Sequence, residues 1–314
     1  LKPEPTVYDV VVVGKANMDY LTRGPRLPVP GQSVNGDAFQ EAPGGKGANQ
    51  AVGAARLGAR VALVARIGQD ARGDAILSAL RVEGIDLRHV SRDPVEHSGV
   101  ALCQVGASGE KQILSAAGAN ARLTAACVRD AAAALSSAKV VLCQLGVPLE
   151  AVAEAVRIGR AAGARIVLDP GPPAPLPDEL IAQLDLIRPN TSEAQILTGV
   201  CVRDRLSARE AALELLRRGA RAAAVQAGEH GDVIVSEGRE FWLPRFEVKR
   251  VDATGAGDAF ASALAVCLAE GKTLEEAGPF ASAAAALATT VLGAQASLPT
   301  RAAVLRLLSE NDSR

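Results

Sequence analysis

Asp258 stands among small residues in the run Val251-Asp252-Ala253-Thr254-Gly255-Ala256-Gly257-Asp258-Ala259-Phe260. The helix predicted over 259–270 carries Phe260, Leu264 and Leu268 at helical spacing, and its first amides have no partners within it. Glycines let such amides approach an anion closely, and the helix dipole favours negative charge there. A carboxylate beside an anion hole repels the anion and so does little for stability. It is well placed to take a proton from a hydroxyl while the Gly255, Ala256 and Gly257 amides hold the charge that develops. That chemistry is phosphoryl transfer onto an alcohol. The same residues also read as a glycine-rich turn with Asp258 as an ordinary helix-start residue.

Four other clusters offer polar groups. Gly44-Gly45-Lys46-Gly47-Ala48-Asn49-Gln50 opens a helix predicted over 44–57. Bare backbone at Gly44 and Gly45 suits contact with a ligand, with Lys46 and Asn49 reaching its polar groups; a flexible loop before an Ala-rich helix is the plainer reading. Lys46 is followed by Gly47, so this is not a phosphate loop of the G-x-x-x-x-G-K-[ST] type. No clean G-x-G-x-x-G follows the first strand, which removes the main support for a dinucleotide-dependent oxidoreductase. Asn17 and Asp19 share a face in an extended segment and suit adjacent hydroxyls of a polyol, or else a turn. Asn190-Thr191-Ser192-Glu193 reads either as a helix cap or as Asn190 near nucleotide phosphates with Glu193 near the water shell of Mg²⁺. Gln226-Ala227-Gly228-Glu229-His230-Gly231 either brings backbone close to a nucleotide or turns a hairpin into Val233–Val235. His230 reads as a turn residue, and His89 and His97 lack metal-ligand spacing.

Positioning these groups requires a frame. The chain has 314 residues, 48% hydrophobic but only 3% aromatic, so the core is Ala, Val and Leu. Strands are predicted at 10–13, 61–65, 140–145, 166–169, 186–188 and 222–226, with helices at 71–82 and 149–162. A helix ending near Arg218 is predicted to be capped by Ser207 and Glu210, and another by Thr273 and Glu276. The Ala-rich stretch 281–291 reads as a buried helix. Such alternation gives a mostly parallel sheet with helices on both faces. Two segments break it, 18–41 with strand character at 34–39, and 98–116 with a hairpin turn near Ala107-Ser108-Gly109. They form either a small lid sheet or two surface loops. Pro170 to Pro177 is a stiff loop at a strand's C-terminal end, where α/β proteins bind ligands.

A net charge of −1 provides no basic field for nucleic acid, and no apolar run approaches the roughly 20 residues of a membrane span. The five cysteines (Cys103, Cys127, Cys143, Cys201, Cys267) have no C-x-x-C spacing and read as mostly buried, reduced thiols of a cytoplasmic protein. The polar segment 1–9 lacks the order of a signal peptide.

Together these segments resemble the PfkB family of carbohydrate kinases, and within it the ribokinases, from Val10 to about Arg301. The likeness is carried by Ala42-Pro43-Gly44-Gly45-Lys46-Gly47-Ala48-Asn49-Gln50-Ala51 and by Val251 to Phe260. Ala117-Gly118-Ala119-Asn120, Asn190 to Glu193, and Gly293-Ala294-Gln295-Ala296-Ser297 add to it. The resemblance implies a single ribokinase-like α/β domain over 1–314, a three-layer sandwich whose β-lid often mediates homodimerisation. It implies ATP-dependent phosphorylation of a primary hydroxyl, with the 5-OH of D-ribose as first expectation and Mg²⁺ accompanying ATP. Asn17, Asp19, Gly44, Gly45, Lys46 and Asn49 would hold the sugar, and Asp258 would deprotonate it. Gly255, Ala256 and Gly257 would form the anion hole. Asn190, Glu193, Gln226, Gly228, Gly231, Gly257 and Ser282 would line the ATP site. Asp252, Thr254, Ala288, Val291, Gly293 and Ser297 would bind an activating K⁺.

The chain departs from that pattern at Gly146, where ribokinases usually carry a sugar-binding Glu, and at Lys15, a normally small position. Lys15 would pair with Asp19 or reach a charged substrate group. The pair leaves open another sugar, a sugar acid or a nucleoside. A non-catalytic sugar-binding protein that kept the fold is the alternative outside the family's chemistry.

Overall fold

The computed structural model describes residues 7–312. Strand β1 (Tyr8–Val13) carries four consecutive valines because both of its faces are covered. Val10 and Val12 pack with Val52, Leu63 and Phe260, whereas Val11 and Val13 pack with Val64, Val141 and Val152. A strand buried on both sides has no use for polar alternation.

The remaining strands are β2 (Asn17–Arg23), β3 (Ala38–Gly44), β4 (Val61–Gly68), β5 (Val90–Asp93), β6 (Gly99–Val105), β7 (Lys111–Ala116), β8 (Ala138–Gln144), β9 (Arg165–Asp169), β10 (Leu186–Ile187), β11 (Ala222–Gln226), β12 (Asp232–Ser236) and β13 (Arg239–Trp242). Nine form one sheet in the order β13-β12-β11-β10-β9-β8-β1-β4-β5. Pairing is parallel from β11 to β5, and only the β11-β12-β13 edge is antiparallel. The fold is thus the expected mostly parallel α/β arrangement. Strand order reverses at β1, which lies between β8 and β4. The crevice at the C-terminal ends of β1, β8 and β9 is therefore the switch point where open α/β sheets take ligands.

β3-β2-β6-β7 form a separate four-stranded sheet, the lid. Its outer strands pair antiparallel, while β2 and β6 run parallel. The hairpin between β6 and β7 falls where the sequence places it. The strand expected at 34–39 starts later, at Ala38, and its antiparallel pairing runs on through Gly44, while 34–37 stay irregular.

Two helices bring the chemistry together. Lys46–Arg56 crosses Ala256–Ala269 where a Cβ on Gly53 would fall 2.4 Å from Ser262 Oγ, so only glycine permits that approach. Thr273 caps the helix Leu274–Ala288 in a box with Glu276, as expected. The helix Arg205–Arg217 begins one turn earlier than the Ser207/Glu210 reading. Asp204 is its cap, and Ser207 reciprocates from the third helical position. The buried helix expected over 281–291 ends at Ala288, leaving Val291 half exposed. Cys143 and Cys267 are buried, Cys103 and Cys127 partly so, and Cys201 is exposed; none is paired. No helix among the described residues is long and apolar enough to cross a membrane.

Candidate active site

Helix Lys46–Arg56 starts at Gly45, whose φ of 89° suits glycine alone, and a Cβ there would lie 2.8 Å from the Asn17 amide nitrogen. The sharp entry sends Lys46, Asn49 and Gln50 into the crevice on one helical face. Asn49 Nδ2 donates to Asp258 Oδ2 at 2.8 Å, and Gln50 Nε2 to Asp258 Oδ1 at 3.0 Å. Gln50 Nε2 also donates to Asp169 Oδ2 at 2.6 Å, and Gln50 Oε1 accepts from Gln144 Nε2 at 2.6 Å. Lys46 Nζ clamps both Asp169 oxygens at 3.0 and 2.9 Å.

Two buried carboxylates thus share one amide, while the Lys46 ammonium binds Asp169 and acts on Asp258 only through space. Burial pushes the Asp258 carboxyl above its ordinary range; nearby Asp169 adds to this, and Lys46, Asn49 and Gln50 oppose it. Burial alone would lower the Lys46 ammonium, but Asp169, Asp258 and Glu193 hold it above its usual value.

Asp258 lies in the first turn of Ala256–Ala269, whose cap Gly255 has φ 88°. Ala256 donates to Ala253 O at 3.3 Å, while the Gly257 and Asp258 amides find no acceptor among the described residues. Beneath this turn lies Arg188, 5% exposed, its guanidinium 4.9 Å above the Phe260 ring. A Cβ on Gly257 would fall 2.9 Å from Arg188 Nη1. The helix start therefore combines free amides with a positive charge below.

On the lid side, Asn17 is buried and accepts from Asn120 Nδ2 at 2.9 Å. Asn120 also holds the Ala16 backbone through bonds of 2.9 and 3.1 Å. Asp19 points inward. Its Oδ1 is buried without a partner, and a Cβ on Gly44 would lie 2.0 Å from Oδ2. Burial raises the Asp19 carboxyl to about 6; Lys15 opposes the shift and Asp258 adds to it. Asn49 Oδ1 is a second buried oxygen without a partner. Unsatisfied acceptors ringing a crevice suit a polyol, whose hydroxyls would donate to them. Gly146 lies directly beneath the methylenes of Lys15.

A cavity of about 420 Å³ opens on the other side of the helix start. Gln226, Gly228, Gly231 and Ser282 line it together with Ala256 and Thr289. Asn190 and Glu193 lie outside this wall. Asn190 caps the helix Thr191–Thr198, its Oδ1 accepting from the Glu193 amide at 2.9 Å, and Glu193 Oε2 accepts from the Asn190 amide at 2.9 Å. The capping reading is thus realised, and Glu193 Oε1 stays directed at Gly171 and Lys46.

Asp252 Oδ1 accepts from the Thr254 amide and hydroxyl at 3.0 and 2.7 Å, and Oδ2 from the Gly293 amide at 3.0 Å. Ser297 Oγ lies 3.5 Å from Thr254 O. Ala288 is buried at its helix end, while Val291 projects outward. Lys111, from the lid, donates to Thr254 Oγ1 at 3.0 Å.

Gln144, Arg188 and the second carboxylate contact of Gln50 carry no recognisable local signal. Asp169 had one available: a carboxylate closing a buried strand, just before the proline loop at the sheet's C-terminal edge.

Residues 8–301 match the pfkB family of carbohydrate kinases. The chain is 40% identical over 299 residues to a ribokinase of Haemophilus influenzae, covering 95% of this chain and 98% of that one. It is 38% identical over 304 residues to a ribokinase of Bacillus subtilis, covering 96% and 99%. Its structure superposes on Arabidopsis thaliana ribokinase complexed with ribose and ATP with a TM-score of 0.88 at 32% identity, covering 96% and 99%. With the crevice at the switch point, the glycine-started helices and a match over nearly its whole length, the chain belongs to the pfkB family of carbohydrate kinases.

Proposed function

We propose that this kinase transfers the γ-phosphoryl group of ATP to the primary hydroxyl of a sugar, with D-ribose the acceptor that its relatives' names indicate. One observation carries the reading. Asp258, a buried carboxylate with a raised pKa, shares a helix start with free amides between a nucleotide-sized cavity and a ring of unsatisfied oxygens. Asn17, Asp19 and Asn49 hold the sugar hydroxyls. The accepting oxygen attacks the γ-phosphorus opposite the β–γ bridging oxygen. That bond breaks, ADP leaves, and the hydroxyl proton passes to Asp258. Its raised pKa makes Asp258 the stronger proton acceptor, while Asn49 and Gln50 keep it aimed at the crevice. The Gly257 and Asp258 amides, which have no other acceptor among the described residues, hold the transferring charge, whereas the Ala256 amide of the expected anion hole is already engaged by Ala253 O.

Mg²⁺, if bound with the nucleotide, would supply neutralisation of the phosphate charge. Glu193 Oε1, open towards Lys46, suits it through water, whereas Oε2 is engaged by Asn190. The carboxylate, hydroxyl and carbonyl oxygens of Asp252, Thr254 and Ser297 are hard donors that suit K⁺. We also place the protein in the reducing cytoplasm, which suits its free thiols, and assign it a homodimer through the lid.

The test is ADP release with ribose in a coupled assay. Asp258→Asn is expected to bind ribose and ATP normally by calorimetry yet lose roughly 10²- to 10⁴-fold in kcat. Near-normal turnover in that variant would reject the base assignment.

A further inference from the structure

The wall of the acceptor crevice away from Asp258 is cationic, and glycine makes it so. A Cβ on Gly146 would fall 2.5 Å from Lys15 Cδ and 2.8 Å from Cγ. Gly146 does not have a left-handed backbone, so its role is room rather than conformation. The Lys15 stem fills that room. Among the described residues the Lys15 ammonium makes no hydrogen bond and no ion pair, unlike Lys46 on Asp169. Asp19 is the carboxylate that acts on it most strongly, yet it lies beyond ion-pair distance. Burial lowers the Lys15 pKa and Lys46 adds to this, while Asp19 and Asp258 oppose it from a distance.

Beside this side chain a cavity of about 380 Å³ opens between lid and body. Lys15, Gly146, Leu145 and Pro172 line one side, Ser115 and Ala117 the other, and no carboxylate faces it. None of Gly255, Ala256, Gly257 or Asp258 borders it, so an acceptor reaching it would do so with the end remote from Asp258. A half-buried ammonium without a counterion on an acid-free cavity is completed by an anion.

We propose that Lys15 and Gly146 form an anion subsite, and that the crevice which takes ribose binds more tightly a sugar that also bears a carboxylate or phosphate ester at the end opposite the accepting hydroxyl. The proposal rests on the kinase reading above for its orientation, but its binding consequence stands alone. Asn17 and Asp19 hold the middle of the acceptor, and Lys15 supplies the charge that selects its far end.

Calorimetry without nucleotide tests it, using D-ribose, D-ribonate and ribose 1-phosphate, the last two separating carboxylate from phosphate. One anionic ligand is expected to bind about tenfold tighter than ribose. Lys15→Met, which removes the charge, and Gly146→Glu, which displaces the lysine and pairs with it, should each cut that affinity ratio by about tenfold. Thermal melts check that both variants fold. Ribose binding tighter than both anions, with a ratio unmoved in Lys15→Met, overturns the subsite. Preferential anion binding with no ADP released from any acceptor supports the subsite and sinks the kinase reading alone.

Discussion

Gln50 fixes its own orientation by what surrounds it. Its oxygen accepts from Gln144, so its nitrogen must face Asp169 and Asp258, and one amide thereby spaces two carboxylates. This network draws on residues 94 to 209 positions apart, which is why no local pattern discloses it. Asp258 was legible because its neighbours are small and its helix begins beside it. Arg188 was not, since a buried charge at a strand end reads as nothing until the strands are laid side by side, and Asp169 showed only as the carboxylate that closes a buried strand. Asp19 yields a pH prediction. With its carboxyl raised to about 6, it loses its charge as pH falls through that value, so kcat/KM for the sugar should drop below about pH 6. The folded protein then binds this proton more tightly than the unfolded chain does. Stability from this group is therefore greatest at low pH and declines as pH rises from about 4 to about 6. Asp19→Asn should melt higher than the parent at pH 7.5, with the gap closing near pH 4. An equal gap at both pH values would reject the shift.

Helix starts do the positioning at the scale of elements. Gly45 and Gly255 each turn the chain through positive φ into a helix whose first turn faces the crevice. Both were visible in the sequence as glycines before apolar-periodic runs. The lid strands were less so, because β2 and β3 alternate weakly and their pairing depends on partners distant in the chain. The misread cap at Asp204 came from two capping patterns overlapping within one turn, where spacing alone cannot choose. Gly255→Ala should cost about 1–3 kcal/mol, since alanine would need φ 88° with its Cβ 3.1 Å from Ala294 Cα. Urea unfolding measures it, and an unchanged midpoint would refute the strain. The loop holding Asp252 and Thr254 leads directly into Gly255, so the K⁺ proposed there would stiffen the anion hole. Replacing Na⁺ with K⁺ should raise kcat, and identical rates in both salts would remove the assignment.

The lid has two different faces across the whole molecule. Asp19 lies on the face turned to the crevice, whereas Phe39, Leu102 and Leu114 share the opposite one, at 65%, 49% and 73% exposure. An apolar cluster of this kind on a thin sheet is an interface in waiting, and it underlies the proposed homodimer. Leu114→Glu should turn a dimer into a monomer in sedimentation velocity, and an unaltered sedimentation coefficient would place the contact elsewhere. The parallel sheet was readable from its alternating elements, but the orientation of the lid was not, since two surface loops fit the same residues. Lys111 gives that orientation a consequence. By grasping Thr254 it ties the free rim of the lid to the linker that feeds the reaction centre. Any inward shift of that rim would therefore be felt at the start of the helix that carries Asp258.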